Sequence, residues 1–359
     1  GRGGGVGGGG QRSGGCRAGG SGADGGRGLL GGGRWLASYA PGVGPEVDVP
    51  AESLTEMLAA SARRYASRVA LDFFGAETTY TELLPAVDRA AEALRAAGVR
   101  AGDRVALVLP NCPQHVVAFY AALRLGAVVV EHNPLYTASE LKHQLADCGA
   151  KVVVCWDKTA PVIDSLRAGT SVEVILAVDL TTALPWRMRL LLRLPVAKAR
   201  TTRASMTGPV PLGVLSWEQV SSSTGPLDPA YPQPHSEDVA LLQYTGGTTG
   251  TPKGAILTHR NLSANAAQGR AWVPGLKDGE ETVYAVLPLF HAYGLTLCLT
   301  FSMIVGSTLV RLQRFHLAQT SDPILRLPPP FRPPVPPLHR QLPAGPPPTR
   351  VCWSVTLPP

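Results

Sequence analysis

Residues 244–254 read YTGGTTGTPKG. These eleven residues hold four glycines, four threonines, one proline and one lysine. An apolar run, VALLQY at 239–244, precedes them, and a helical pattern at 259–270 follows. The expected element is a strand-to-helix bend. Glycines let successive backbone N–H groups turn toward one centre, which suits a polyanion. Thr245, Thr248, Thr249 and Thr251 add hydroxyl donors, and Lys253 adds a positive charge. Amides, hydroxyls and one ammonium are what a triphosphate needs for neutralisation and orientation. A Walker A loop is excluded, because it needs glycine before the lysine and Ser or Thr after it; here they are Pro252 and Gly254. The Rossmann GxGxxG spacing is also absent. A plain surface loop is the competing reading, which the flanking strand and the composition oppose.

Working outward, helix and strand patterns alternate from residue 52. Residues 69–73 and 78–80 read as short strands. Thr81 is a cap candidate for a helix bearing Leu84, Val87, Ala91 and Leu94, with Gly98 ending it. Residues 103–109 (DRVALVL), 127–131, 151–156 (KVVVCW) and 172–178 (VEVILAV) are near-continuous apolar strands. Helices fall between them: one opened by Pro113 and stopped at Gly126, one with a Thr137/Glu140 capping box closed by Gly149, and one over 158–168. Apolar strands separated by short helices imply parallel strands covered on both faces. The fold class is therefore α/β, doubly wound, with mostly parallel sheets and helices on both faces, laid down over 46–178. Residues 282–310 lack Asp, Glu, Lys and Arg. Pro288, His291, Gly294 and Gly306 cut them into strand, loop, helix and strand, so a buried core is expected rather than a membrane span.

Charge is unevenly placed. The 359 residues carry +7 overall. Residues 1–34, 185–203 and 311–359 together carry +15, which leaves −8 on the remainder. The folded body is acidic, so a basic pI is no argument for nucleic-acid binding. Residues 1–34 contain 19 glycines and 323–359 contain 14 prolines, so both ends read as disordered low complexity. The chain thus divides into a leader at 1–45, a body at 46–315 with a basic insertion at 179–237, and a Pro-rich tail at 316–359. Six scattered cysteines without a CxxC pair suit buried thiols in a reducing cytoplasm. His115, His132 and His143 lack metal-ligand spacing. The stretch 187–203 (RMRLLLRLPVAKARTTR) mixes leucines with basic residues. It reads either as a solvated insertion helix or as a contact with the inner face of a membrane.

The run YTGGTTGTPKGAILTHRNL at 244–262 resembles the phosphate-loop signature of the AMP-forming adenylate superfamily. The form Gln243-Tyr244-Thr245-Gly246-Gly247 is most similar to long-chain fatty acid–CoA ligases. Residues 109–130 with Asn133-Pro134-Leu135-Tyr136 resemble the same ligases, and 287–294 (LPLFHAYG) resembles the superfamily's second motif. The resemblance implies that a fatty carboxylate attacks the α-phosphorus of ATP to give acyl-AMP and pyrophosphate, after which CoA displaces AMP. It implies that Thr245, Gly246, Gly247, Thr248, Thr249, Gly250, Thr251 and Lys253 hold phosphates. It also implies that Thr245 touches the bridging Mg²⁺, and that His291 and Lys253 serve catalysis. On residues alone, His291 could equally be satisfied by backbone in a packed core.

The motifs end early. The superfamily's Tyr-Gly-x-Thr-Glu segment, its ribose-binding aspartate and its mobile domain with a catalytic lysine are absent from this sequence. The chain is expected to be an amino-terminal portion that is inactive as written, with the Pro-rich tail arising from a shifted reading frame. The alternatives are a non-catalytic nucleotide-binding fragment and a ligase for aryl or medium-chain acids. The oligomeric state is not legible.

Overall fold

The computed structural model describes residue 36 and residues 38–246 and 252–311. The chain divides into two units, Gly1–Pro41 and Gly42–Pro359. All the regular elements named below belong to the second unit. Gly247, Thr248, Thr249, Gly250 and Thr251, and the tail expected from 316, lie outside the described residues.

The strands are β1 (Val69–Phe73), β2 (Ala76–Thr79), β3 (Arg104–Val108), β4 (Val128–Glu131), β5 (Val152–Trp156), β6 (Val174–Val178), β7 (Leu215–Ser216), β8 (Val239–Thr245), β9 (Lys253–Thr258), β10 (Thr282–Ala285) and β11 (Thr308–Arg311). They form two sheets. The larger has the order β7-β6-β5-β3-β4-β8-β9 and the smaller the order β10-β11-β1-β2. Every pairing is parallel except β8 with β9 and β1 with β2. The mostly parallel α/β class holds. The run 46–178 is not one layer, however, because β1 and β2 join strands more than 200 residues later in the smaller sheet.

Alternation along β3 shows why the central strands are apolar throughout. Val105, Leu107 and Leu109 face a core shared with both sheets and with α1 (Leu54–Arg64), α2 (Tyr80–Ala96) and α3 (Pro113–Arg124). Ala106 and Val108 face a second core under α4 (Ala138–Cys148) and α5 (Ala160–Ser165). Both faces are dry, so the period-2 pattern vanishes from the sequence.

Local signals set the helix ends. Thr137 and Glu140 form the expected capping box, and Gly149 closes α4 at φ 61°. For α2 the cap is Thr79, not Thr81. Thr79 has Glu82 three residues on, and the two close a reciprocal box. The expected strand at 78–80 gives way accordingly, with β2 ending at Thr79. Cys112, Cys148, Cys155 and Cys298 are buried and none is in a disulfide.

Residues 179–237, read as a basic insertion, carry local secondary structure. They contain a 3₁₀ turn (Leu180–Ala183), α6 (Trp186–Leu191), α7 (Ala197–Met206), the edge strand β7 and α8 (Trp217–Ser223). After α9 (His259–Trp272) and β10, the apolar stretch forms α10 (Ala292–Gly294), a π-helical run (Leu295–Thr300), α11 (Phe301–Val305) and β11. No described helix is long and apolar enough to cross a membrane.

Candidate functional site

The carboxyl ends of β3, β4, β5, β6 and β8 share one edge of the larger sheet, because these strands run parallel. That edge is where open α/β sheets bind ligands. Thr245 ends β8 there.

The expected strand-to-helix bend is instead a hairpin. Lys253 opens β9, which pairs antiparallel with β8, and the helix begins only at His259. The reason is tertiary. β9 is a half-exposed edge strand whose pairing is dictated by β8, and its polar start masks it in the sequence. The hairpin places Thr245 opposite Lys253, Tyr244 opposite Gly254 and Gln243 opposite Ala255. Residues directly opposite share a face, and faces alternate along a strand. Gln243, Thr245 and Lys253 therefore lie on one face, with Tyr244 on the other. Thr245 and Lys253 are both exposed.

The first face meets the LPLFHAYG segment. The side-chain amide of Gln243 donates to the Phe290 carbonyl at 3.1 Å. From the end of β3, Asn111 braces the same segment. Its amide donates to the carbonyls of Ala285 (2.9 Å) and Leu287 (2.8 Å), and its oxygen accepts from the Leu289 N–H (2.9 Å). Asn111 is buried, so these three bonds do not compete with water. The segment turns tightly, and a Cβ on Gly294 would overlap the Pro288 carbonyl oxygen. Only glycine fits that approach. His291 is exposed, its N–H donates to the Pro288 carbonyl (3.2 Å) and its carbonyl accepts from Leu295 (2.8 Å). A histidine packed in the core is thereby excluded.

The second face is fixed from behind. The Tyr244 hydroxyl donates to Asp147 at 2.5 Å, and its ring stacks on His132 with centroids 6.0 Å apart. His132 is buried. Burial pushes its pKa down to about 4, against the opposing pull of Gln144. The neutral ring donates from Nδ1 to Gln144 (2.7 Å), and its Nε2 is left unpartnered. Next to it, His115 Nε2 lies 2.9 Å from Glu131, with both side chains buried. None of the three histidines joins a metal-type cluster among the described residues.

Asn111, Gln243 and Tyr244 stand within the recognisable motifs, but nothing in the sequence assigns them a role. Their partners lie 47 to 178 positions away. A second polar group on this edge is equally hidden in the sequence. Asp157 follows β5, and burial raises its carboxyl to about 6 although the Thr207 hydroxyl donates to it. A cavity of about 790 Å³ lies at the opposite edge, among Arg104, Val128, Tyr231 and Val239. None of Thr245, Gly246, Lys253 and His291 lines it, so it is not the candidate site.

Braced loop and hairpin rung both sit at the carboxyl edge of a mostly parallel α/β sheet. The chain belongs to the AMP-binding enzyme family, which matches residues 58–352. It is 35% identical over 289 residues to a long-chain-fatty-acid–CoA ligase of Bacillus subtilis, covering 80% of this chain and 50% of that protein. It is 31% identical to 4-coumarate–CoA ligase 3 of rice, over 69% of this chain and 39% of that protein. The structure of the FadD1 long-chain-fatty-acid–CoA ligase from Archaeoglobus fulgidus matches with a TM-score of 0.66 and 27% identity, over 85% of this chain and 55% of that one. An anthranilate–CoA ligase solved with anthranoyl-AMP also matches at 0.66, with 25% identity, over 79% of this chain and 50% of that one. The chain spans about half the length of the curated relatives it matches.

Proposed function

We propose that the chain carries the triphosphate-gripping part of a long-chain fatty acid–CoA ligase. In that reaction a fatty carboxylate attacks the α-phosphorus of ATP, pyrophosphate leaves, and CoA takes the acyl group from AMP. One observation carries the reading. The Thr245–Lys253 rung closes the Gly/Thr-rich hairpin on the face where Gln243 holds the His291 segment. A hydroxyl and an ammonium side by side suit the β- and γ-phosphates. Gly246 and the loop residues 247–251 would supply backbone donors to the same groups. His291, exposed beside this face, would meet the carboxylate.

Thr245 offers one hydroxyl oxygen, and the described residues add no carboxylate cluster. That hydroxyl would be this chain's contribution to holding Mg²⁺, a hard cation that takes oxygen ligands and would offset the phosphate charge. A peripheral membrane contact through 187–203, on the cytoplasmic side, belongs to the same proposal. The relatives favour long-chain acids over aryl acids, as identity reaches 35% over 80% of this chain with a long-chain ligase and 31% over 69% with the coumarate ligase.

The test is calorimetric titration of the full chain with ATP and with inorganic triphosphate. Both ligands should bind, and Lys253→Ala should weaken both. Failure of both to bind would end the reading.

A further inference from the structure

The pairing of the larger sheet stops short of the candidate grip. β4 meets β8 at Val129–Leu241, Val130–Leu242 and Glu131–Gln243, and that register goes no further. β8 and β9 continue together through Tyr244–Gly254 and Thr245–Lys253. Those last two rungs form a two-stranded ribbon standing beyond the sheet. Such a ribbon alone is marginal in water. β9 adds little hold of its own. It is the edge strand, and its Lys253, Ala255 and Ile256 are exposed. A slip of one position would turn Lys253 away from Thr245.

One side chain of the two rungs turns back into the fold. Gly254 has none to offer, and Thr245 and Lys253 are exposed. Tyr244 is 8% exposed. Its hydroxyl donates to the Asp147 carboxylate at 2.5 Å, and its ring stacks on His132 with 24° between the planes. The ring also reaches across the ribbon under Gly254, where an added Cβ would stand 3.5 Å from the Tyr244 Cζ. Asp147 is on α4, and His132 directly follows β4. The tyrosine therefore ties both strands of the ribbon to a helix and to the sheet. α4 is a firm support, because Leu141, Leu145 and Cys148 are buried beneath it. Burial, aided by the Asp147 bond, raises the Tyr244 hydroxyl above the usual tyrosine range, so it keeps its proton and stays a donor. A bond to a carboxylate is also stronger than one between neutral groups.

We propose that Tyr244, held by Asp147, is a positioning residue for triphosphate binding, fixing the ribbon so that the Thr245 hydroxyl and the Lys253 ammonium stay side by side. The proposal deepens the phosphate-gripping reading above and rests on it. Tyr244 lies on the opposite face of the hairpin from Thr245 and Lys253, so it acts through the backbone and not by touching the ligand. A free ribbon would lose conformational entropy at each binding event. The tether removes that cost in advance.

Calorimetric titration of the full chain with inorganic triphosphate, paired with amide hydrogen exchange, tests this. Tyr244→Phe keeps the ring and loses the hydroxyl. It should weaken triphosphate binding roughly tenfold, the worth of one bond to a charged group. Asp147→Leu should do the same, and the double variant should be no weaker than either single one. Asp147→Asn keeps an acceptor oxygen and should stay within roughly threefold of the parent. Far-UV circular dichroism should be unchanged throughout. In Tyr244→Phe, amides around the two outer rungs should exchange roughly tenfold faster, while those of β3 and β5 keep the parent's rate. Variants that bind like the parent, additive losses in the double variant, or Asp147→Asn as weak as Asp147→Leu would each overturn the inference. So would exchange that quickens equally in β3 and β5, which marks a general loss of stability. A parent chain that binds no triphosphate ends the ligase reading instead. Exchange then decides the tether alone: quickening confined to the ribbon supports it, and unchanged exchange overturns it.

Discussion

Two segments meet at the candidate site, and they are held in opposite ways. Residues 286–291 lie outside helix and strand, yet buried side chains from distant elements grip them and the adjoining Ala285: Asn111 at three backbone groups and Gln243 at a fourth. The hairpin ends at Thr245 and Lys253 have regular pairing, but their side chains are exposed and nothing in the described fold grips them. The first segment is over-determined and the second is left open toward its ligand. A site can thus divide its work between a rigid reference and a responsive grip.

The largest effect should come from removing the brace. Asn111→Ala leaves two buried carbonyls and one N–H unpaired. At about 1–3 kcal/mol per stranded group, partly relieved by relaxation, we expect a loss of about 4 kcal/mol by urea unfolding. A loss under about 1 kcal/mol would break the contrast.

Acid attacks the back of the hairpin. His132 and His259 titrate near 4 instead of 6.5, chiefly because burial disfavours their charged forms. Between pH 6.5 and 4 the folded chain then holds fewer protons than the unfolded chain. Stability is lost as pH falls through that window, by about 3 kcal/mol per histidine at its lower end. Asp157, raised to about 6 from 3.8, works the other way: its contribution falls as pH rises from 3.8 to 6. Urea titrations at pH 7 and pH 4.5 should show net acid loss, steeper in Asp157→Asn. A flat profile in both proteins would remove the histidine argument.

Gly294→Ala sharpens the rigid side of the contrast. Its methyl would overlap the Pro288 carbonyl, a backbone atom that cannot rotate away. A loss of about 2 kcal/mol is expected from overpacking, read as a lowered melting temperature.

Lys253→Ala should have the smallest effect on stability, within about 0.5 kcal/mol as for other surface changes. Its affinity for triphosphate should nonetheless drop roughly tenfold or more, the value of one charge-assisted contact. Comparable damage to stability would mean that the grip is structural.

How legible this was depended on the range of the forces involved. The α4 box of Thr137 and Glu140 and the left-handed Gly149 are local, and the sequence displays them in full. The α2 cap was legible too, since Glu82 marks Thr79 over Thr81 by the same spacing rule. β9 was not. An edge strand reading KGAILT has neither alternation nor length, and only the pairing with β8 makes it a strand. The motif residues Thr245, Lys253 and His291 were visible as chemistry. The residues that place them, Asn111 and Gln243, look like ordinary polar positions until the chain has folded.

The buried thiols are distributed in a way that can be put to use. Cys112 and Cys298 line the core shared by the two sheets, and Cys148 and Cys155 line the core beneath α4 and α5. Burial pushes the Cys155 thiol up to about 12 and raises that of Cys148 as well, so neither supplies much thiolate while its core stays closed. Alkylation at each position is therefore timed by the opening of its own layer. Peptide mapping of the modified chain would give two independent clocks, one for each hydrophobic compartment, without adding a single label.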